Sequence, residues 1–393
     1  MSKISLKHSG GNVVSLNAPT NAPGAADVAF KLPNTDGSDG QALVTDGSGN
    51  LSFSAVGGGA GKAKNLIING AMQVCQRGTS TTSPGFFVDR YKLLTNGCDD
   101  APEQRQANLG TGDTGPYEEG FRRSYKITNG NQTSGAGAAD YIFFRQQLEA
   151  QDIANSGWHY TNTSSFITLS FWVKSSVAQN FYGYLRSEDG TSYIYPFETG
   201  SLTADTWTKV TKTIPGNSNL QFDNNNGIGL SVNFAPFWGT DYTDSGASLN
   251  AWGAYGSGAT RAPDYTSTWF TTNDATFEIT GLQLEVGNSA TSFEHKTFGE
   301  VLALCQRYYF IHAVSIHNSG GNYEINFIPV NMRATPTATR LSGVMFGGES
   351  STSFSSIQTL TTGQSAEVVT LVYVLVNSSD ANCGGKYAFT AEI

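Results

Sequence analysis

Apolar and polar residues alternate with period two along most of the chain, and each change of phase marks a boundary or a kink. In Phe166–Val173, positions Ile167, Leu169, Phe171 and Val173 share one face, which predicts a half-buried strand. Trp207 to Ile214 is a Thr-rich run of the same kind, stopped by Pro215-Gly216. Phe277 and Ile279 lie in one phase and Leu282 and Leu284 in the other, with Gly281 at the slip, which predicts a β-bulge inside one strand. Leu43-Val44-Thr45, then DGSGN, then Leu51-Ser52-Phe53 predicts a hairpin. A period near 3.6 replaces the alternation once: Phe298, Val301, Leu302, Cys305, Tyr308, Tyr309 and His312 form one stripe, predicting a helix of about four turns. Strand alternation resumes at Tyr323, Ile325 and Phe327, stopped by Pro329. Val368–Val376 is apolar on both faces, so it needs cover on two sides, as a central sandwich strand or at a subunit interface.

Composition supports an all-β chain: 45 of 393 residues are Gly, 14% are charged and 12% are aromatic. The length suffices for a core without a disulfide or metal staple. The zones divide as a turn-rich segment 1–56, a Gly-rich linker 57–64, an antiparallel jelly-roll sandwich 65–297, a connecting helix 298–313 and a C-terminal β-sandwich domain 314–393. The first segment has too little apolar surface to stand alone, and borrows a core from other copies or from a larger body. A net charge of −9 argues against nucleic acid as a partner. No apolar run approaches a membrane span, so no membrane insertion is expected. The N-terminus lacks an apolar signal core, and the four cysteines lack metal or redox spacing, which suits folding in cytosol.

The groups that carry chemistry are sparse. The five histidines sit in no hydrolase or metal motif, and GGGAG at 57–61 lacks the Lys-Ser/Thr of a phosphate loop. Asp99-Asp100 and Glu118-Glu119 are paired carboxylates of the kind polar loops carry. The expectation is a protein that is not an enzyme, with no cofactor and no metal. Binding has more to build on. Between Phe234 and Phe270, rings recur among Gly, Ser, Asp and Asn, and flat aromatic faces suit the C–H faces of sugars. Trp238, Trp252, Tyr255 and Trp269 are the candidate glycan-binding residues. The competing reading has the same rings pinning a long loop to the sandwich or to a neighbouring subunit.

Several stretches carry a resemblance. NLIINGAMQVCQRG (65–78) with Phe87-Val88-Asp89-Arg90-Tyr91 resembles the opening motif of tail-fibre domains in bacteriophages and prophages. GLQLEVGNSATSFEHKTFGEVLALCQRYY (281–309) resembles the matching closing motif, and IPVNMRATPT (328–337) the start of the C-terminal domain in those proteins. Residues 1–59 resemble N-terminal segments of structural proteins from phages of aquatic bacteria. FRQQLE (144–149), LSFWVK (169–174), ADTWTKV (204–210) and GLQLE (281–285) resemble carbohydrate-binding jelly-roll modules. The resemblance implies a homotrimeric tail-fibre subunit of the virion, assembled in the host cytoplasm. It would be attached to tail or adaptor proteins through residues 1–56, would face host surface polysaccharide, and would trimerise or meet its receptor through its C-terminal domain. A structural head fibre or tail connector, and a polysaccharide depolymerase, are the alternatives.

Overall fold

The computed structural model describes residues 65–256 and 261–317 continuously. It also describes 3–7, 10–11, 13–17, 31–34, 36–37, 41–45, 50–55, 324–334, 336–343, 356–360, 369–375 and 382–393. The chain forms two compact units, Met1–Gly59 and Ala60–Ile393. In the first, β1 (Lys3–Lys7) pairs with β2 (Val13–Asn17), and β3 (Gln41–Thr45) with β4 (Leu51–Ala55), both antiparallel. The expected hairpin is present, with Thr45 opposite Leu51 and Leu43 opposite Phe53. Leu43 and Phe53 are both exposed, as a small two-stranded sheet leaves its apolar residues. The Gly57–Gly61 joint lies outside the described residues.

The second unit opens with β5 (Ser80–Thr81), β6 (Gly85–Phe86), β7 (Lys92–Asn96), β8 (Glu103–Asn108), β9 (Arg123–Thr128) and β10 (Tyr141–Glu149). One turn, α1 (Ala150–Ala154), precedes β11 (Phe166–Ser175), β12 (Asn180–Ser187), β13 (Tyr193–Ser201), β14 (Thr208–Pro215), β15 (Ile228–Trp238) and β16 (Gly253–Ala254). The short α2 (Thr268–Thr271) and the long β17 (Thr276–Val286) complete the sandwich. Its seven-stranded sheet runs β16-β13-β12-β15-β10-β7-β6 and its six-stranded sheet β14-β11-β17-β9-β8-β5, with antiparallel pairing throughout. Between them lies one core. Ile167, Leu169, Phe171 and Val173 of β11, the face read from the sequence, are all fully buried in it against Phe144 and Phe234 of the facing sheet.

The phase slip in β17 is a bulge. Ser170 pairs with Gln283 and Trp172 with Thr280, so Gly281 and Leu282 together oppose Phe171. Gly281 has φ +65, and that left-handed turn returns Leu282 and Leu284 to the core on the side of Phe277 and Ile279. A Cβ at Gly281 would sit 2.8 Å from the Phe121 ring.

The helix is shorter than its stripe. α3 spans Phe298–Gln306, opened by a capping box between Thr297 and Glu300, and Tyr309–His317 is already a strand, β18. Tyr309, Phe310, Ile311 and Val314 are aromatic or β-branched, and pairing with the C-terminal strand outweighs helix propagation. His312 is therefore a strand residue. Two single-turn helices, α1 and α2, escaped the periodicity because they are too short to show one. Beyond α3, β19 (Glu324–Met332), β20 (Thr337–Gly343), β21 (Ser356–Leu360), β22 (Val369–Leu375) and β23 (Asn382–Thr390) complete two three-stranded sheets, β18-β23-β20 and β19-β22-β21. Pro329 interrupts β19 without ending it, since pairing with β22 lapses between Phe327 and Met332. β22 is the central strand of its sheet; what covers its two faces lies outside the described side chains.

The opening and closing motifs are one structure. The Asn65 side chain donates to the Leu282 carbonyl and accepts from Leu284 N–H, and Leu282 N–H donates to the Gly70 carbonyl. Leu66 N–H donates to the Leu284 carbonyl at 2.8 Å. The residues that carried the resemblance thus knit the ends of the sandwich together.

Candidate functional site

Residues 239–256 and 261–267 lie on the outer face of the seven-stranded sheet. Tyr265 is the pin: its hydroxyl donates to the Ala235 carbonyl at 2.9 Å and accepts from Tyr182 N–H at 3.0 Å. Its ring meets Tyr182, Phe237 and Trp238 edge-on. Tyr242 packs edge-on against Tyr141, and β16 adds a short edge strand beside Tyr193 and Ile194. The aromatic stretch is a cover for the sheet, as the loop-pinning alternative had it.

That placement corrects two of the four candidate residues, Trp238 and Trp269. Trp238 is 1% exposed, packed among Phe143, Tyr184 and Tyr265, and Trp269 is fully buried with its indole N–H on the Thr276 carbonyl. Neither ring presents a face to solvent, because both sit on regular elements whose neighbours close over them. Trp252 is half-buried against Tyr195 and donates its indole N–H to the Pro215 carbonyl at 2.7 Å. Tyr255, also half-buried, accepts from Arg261 at 2.7 Å and lies 4.0 Å beneath the Arg186 guanidinium. The four do not form one platform. Trp238→Ala is expected to lower stability by about 3–5 kcal/mol, as core truncations of large aromatics do. A urea unfolding curve checks it; a surface ring would change stability by only about 0.5 kcal/mol.

What the cover leaves is two registered rows of polar side chains. Register places Lys92 (β7), Arg145 (β10), Asn233 (β15) and Tyr184 (β12) opposite one another in turn. Two residues along, Gln147, Ser231 and Arg186 form the next row. Directly opposed residues of an antiparallel pair share a face, so both rows lie on the outer side. Here buried polar atoms lack partners: Arg145 Nε, Gln147 Oε1, Asn233 Oδ1, Arg186 Nε and, beneath the loop, Trp238 Nε1. Asn233 is fully buried and Gln147 4% exposed. Each such atom costs about 1–3 kcal/mol unless a ligand or an ordered water meets it. Most of the polar atoms left unpartnered among the described residues therefore gather on one sheet face.

The opposite face of the sandwich behaves differently. On the six-stranded sheet the loop around residues 110–120 lies over half-buried Trp172 and Trp207. Trp172 donates its indole N–H to Glu119 and Trp207 to Asp113, at 3.0 and 2.8 Å. Lys209 pairs with Glu119 at 2.8 Å and Lys174 with Asp113 at 3.0 Å. Burial pushes the Asp113 carboxyl up, but hydrogen bonds from Gly110, Trp207 and Lys174 and the Lys174 charge outweigh it and hold it below the usual range. Glu119 of the paired carboxylates is thus a loop clamp, and Asp99 is a turn ligand holding Ser134 at 2.6 Å.

None of the row residues was a sequence candidate. The signal was present in the alternate phase of strands read for their apolar face. Arg145 and Gln147 alternate with Phe144 and Leu148, Ser231 and Asn233 with Leu230, Val232 and Phe234, and Tyr184 and Arg186 with Leu185.

No family model matches the chain, and no curated protein matches it. Among solved structures, the enzymatically active domain of tailspike protein 4 from bacteriophage CBA120 is similar over 56% of this chain and 21% of that one, at 11% identity and TM-score 0.29. The chain thus spans about a fifth of the tailspike domain's length. The N-terminal cellulose-binding domain of Cellulomonas fimi β-1,4-glucanase C is similar over 56% of this chain and 99% of that one, at 8% identity and TM-score 0.26. A family 11 carbohydrate-binding module from Clostridium thermocellum, in complex with a β-1,3-1,4-mixed-linked tetrasaccharide, is similar over 52% and 91%, at 10% identity and TM-score 0.23. Likenesses this partial carry no inference about function.

Proposed function

We propose that the chain is a non-enzymatic appendage subunit of a phage virion, a tail-fibre protein that contacts host-surface carbohydrate through the outer face of its seven-stranded sheet. The observation that carries the binding role is the pair of registered rows whose buried Asn233, Gln147, Arg145 and Arg186 atoms have no partner. Sugar hydroxyls donate and accept together, and so match unpaired amide oxygens and guanidinium N–H groups side by side on a rigid sheet. The phage assignment rests on the opening and closing motifs, and a homotrimer joined to the tail through residues 1–56 belongs to the same proposal.

The purified full chain is expected to bind polysaccharide extracted from the host envelope and to release no reducing sugar from it. Asn233→Ala combined with Gln147→Ala should weaken binding by roughly tenfold or more, the equivalent of one to two lost hydrogen bonds to buried groups. Light scattering should give three times the chain mass. Unchanged binding by the double variant would remove the sheet face from the proposal, and sugar release would replace it with a depolymerase.

A further inference from the structure

We infer that the β7 end of this sheet face binds an anionic sugar unit of a polysaccharide, its acid group seated between Lys92 and Arg145. This rests on the carbohydrate-binding reading above and names the class of ligand within it.

Lys92 and Arg145 are directly opposed across the β7–β10 pair, a like-charge juxtaposition that destabilises a sheet on its own. Among the described residues neither forms an ion pair, and neither side chain has a hydrogen-bond acceptor. The one ring near Lys92 is Phe86, 5.3 Å from its ammonium. Burial, and then the Arg145 charge, draw the Lys92 ammonium below its ordinary range, and the more distant Glu392 charge offsets them only in part.

The described carboxylates around the face hold other partners. Glu188 takes Arg186 at 3.2 Å and the Ser231 hydroxyl at 2.8 Å. Glu149, at the end of β10, is held by Arg307. Glu198 accepts from Asn180, and Asp264 from Thr243, at the far edge near Tyr182. Glu392 pairs with Arg77 and Arg90. The β7 end of the rows thus keeps two cations with no ion pair among the described residues, beside the unpaired Asn233 and Gln147 oxygens. A carboxylate or sulfate would satisfy the cations with charge-assisted hydrogen bonds, while neighbouring hydroxyls of the same sugar would donate to the two amide oxygens. Inorganic anions alone would leave those oxygens unmet.

The test is titration calorimetry of the full chain against alginate (carboxylate), κ-carrageenan (sulfate) and laminarin (neutral), with sodium sulfate as the small-anion control. Binding of alginate or carrageenan that weakens with added salt, with laminarin roughly tenfold or more weaker, supports the inference; which acidic polymer binds fixes the acid group. Lys92→Gln and Arg145→Gln should each weaken acidic binding by roughly tenfold. Lys92→Gln should also leave the melting temperature unchanged or raised, because it removes the like-charge pair. That combination separates a ligand contact from a structural role. Equal binding of laminarin and the acidic polymers would overturn the acid assignment and leave carbohydrate binding standing. No binding of any polymer would overturn both. Wild-type affinity in both variants, or sulfate alone competing fully, would overturn the seat between these residues.

Discussion

Replacing Glu149 by alanine is expected to cost about 3–5 kcal/mol of folding free energy, the loss seen when one partner leaves a buried ion pair. Glu149 is fully buried at the end of β10 and accepts from four donors on two parts of the chain. Arg307 approaches with two nitrogens, each at 2.9 Å, and the Tyr308 hydroxyl and the Gln151 amide lie at 2.6 Å. Arg307 and Tyr308 stand where α3 hands over to β18, so this carboxylate ties the C-terminal sheets to the sandwich. Burial alone would push its carboxyl up, but the hydrogen bonds from Arg307 and Tyr308 and the Arg307 charge together hold it below the usual glutamate range. For a lowered acid the contribution is complete above the unfolded pKa and is lost as pH falls through the folded one. Asp89 acts in the opposite sense. Burial raises it despite Arg77 and Gln76, so protonation favours its folded form, and its contribution falls as pH rises through the raised value. The informative quantity is therefore the difference in urea midpoint between wild type and Glu149→Gln. It should be largest above the ordinary glutamate range and shrink in more acid solution. A difference independent of pH would place the stabilisation in packing and not in the ion pair.

The architecture was legible in the sequence where one face of an element is buried and the other is not. The β11 alternation, the β17 phase slip at Gly281 and the DGSGN hairpin all place their residues as read. The stripe beginning at Phe298 misled at its far end, because Tyr308 and Tyr309 are apolar in either conformation. Only pairing of β18 with a strand some seventy residues on decides between them, a long-range fact that periodicity does not carry. The site was harder. Aromatic density marked residues 234–270, yet density says nothing about which way a ring points, and this sheet face turned Trp238 inward beneath Tyr265. Arg145 and Lys92 look like ordinary exposed positions in their own strands. That the two cations face each other, with no ion pair among the described residues, emerges only from register, which sets them opposite each other 53 residues apart in the chain.

Gly70→Ala is expected to destabilise the sandwich by about 3 kcal/mol or more, a large effect for one methyl group. A relaxed glycine-to-alanine change stabilises by about 0.4–1 kcal/mol through the unfolded chain, so the prediction differs in sign from the default. A Cβ at Gly70 would lie 2.0 Å from the Leu282 carbonyl oxygen. That oxygen is held where it is: it accepts from the Asn65 side chain at 2.9 Å, while Leu282 N–H donates to Gly70 itself at 2.9 Å. Leu282 is the core residue of the bulge, so moving its carbonyl means moving the register that buries Leu282 and Leu284. Gly281→Ala makes the internal comparison. Its Cβ meets the end of the Phe121 ring at 2.8 Å, a side chain and not a paired backbone carbonyl, and its left-handed backbone adds about 1–2 kcal/mol. Thermal unfolding of the two variants should rank Gly70→Ala below Gly281→Ala and both below wild type. A melting temperature for Gly70→Ala at or above wild type would mean that the opening motif can leave the closing strand without loss. The motif pair would then be a connection, and not the clasp on which the sandwich closes.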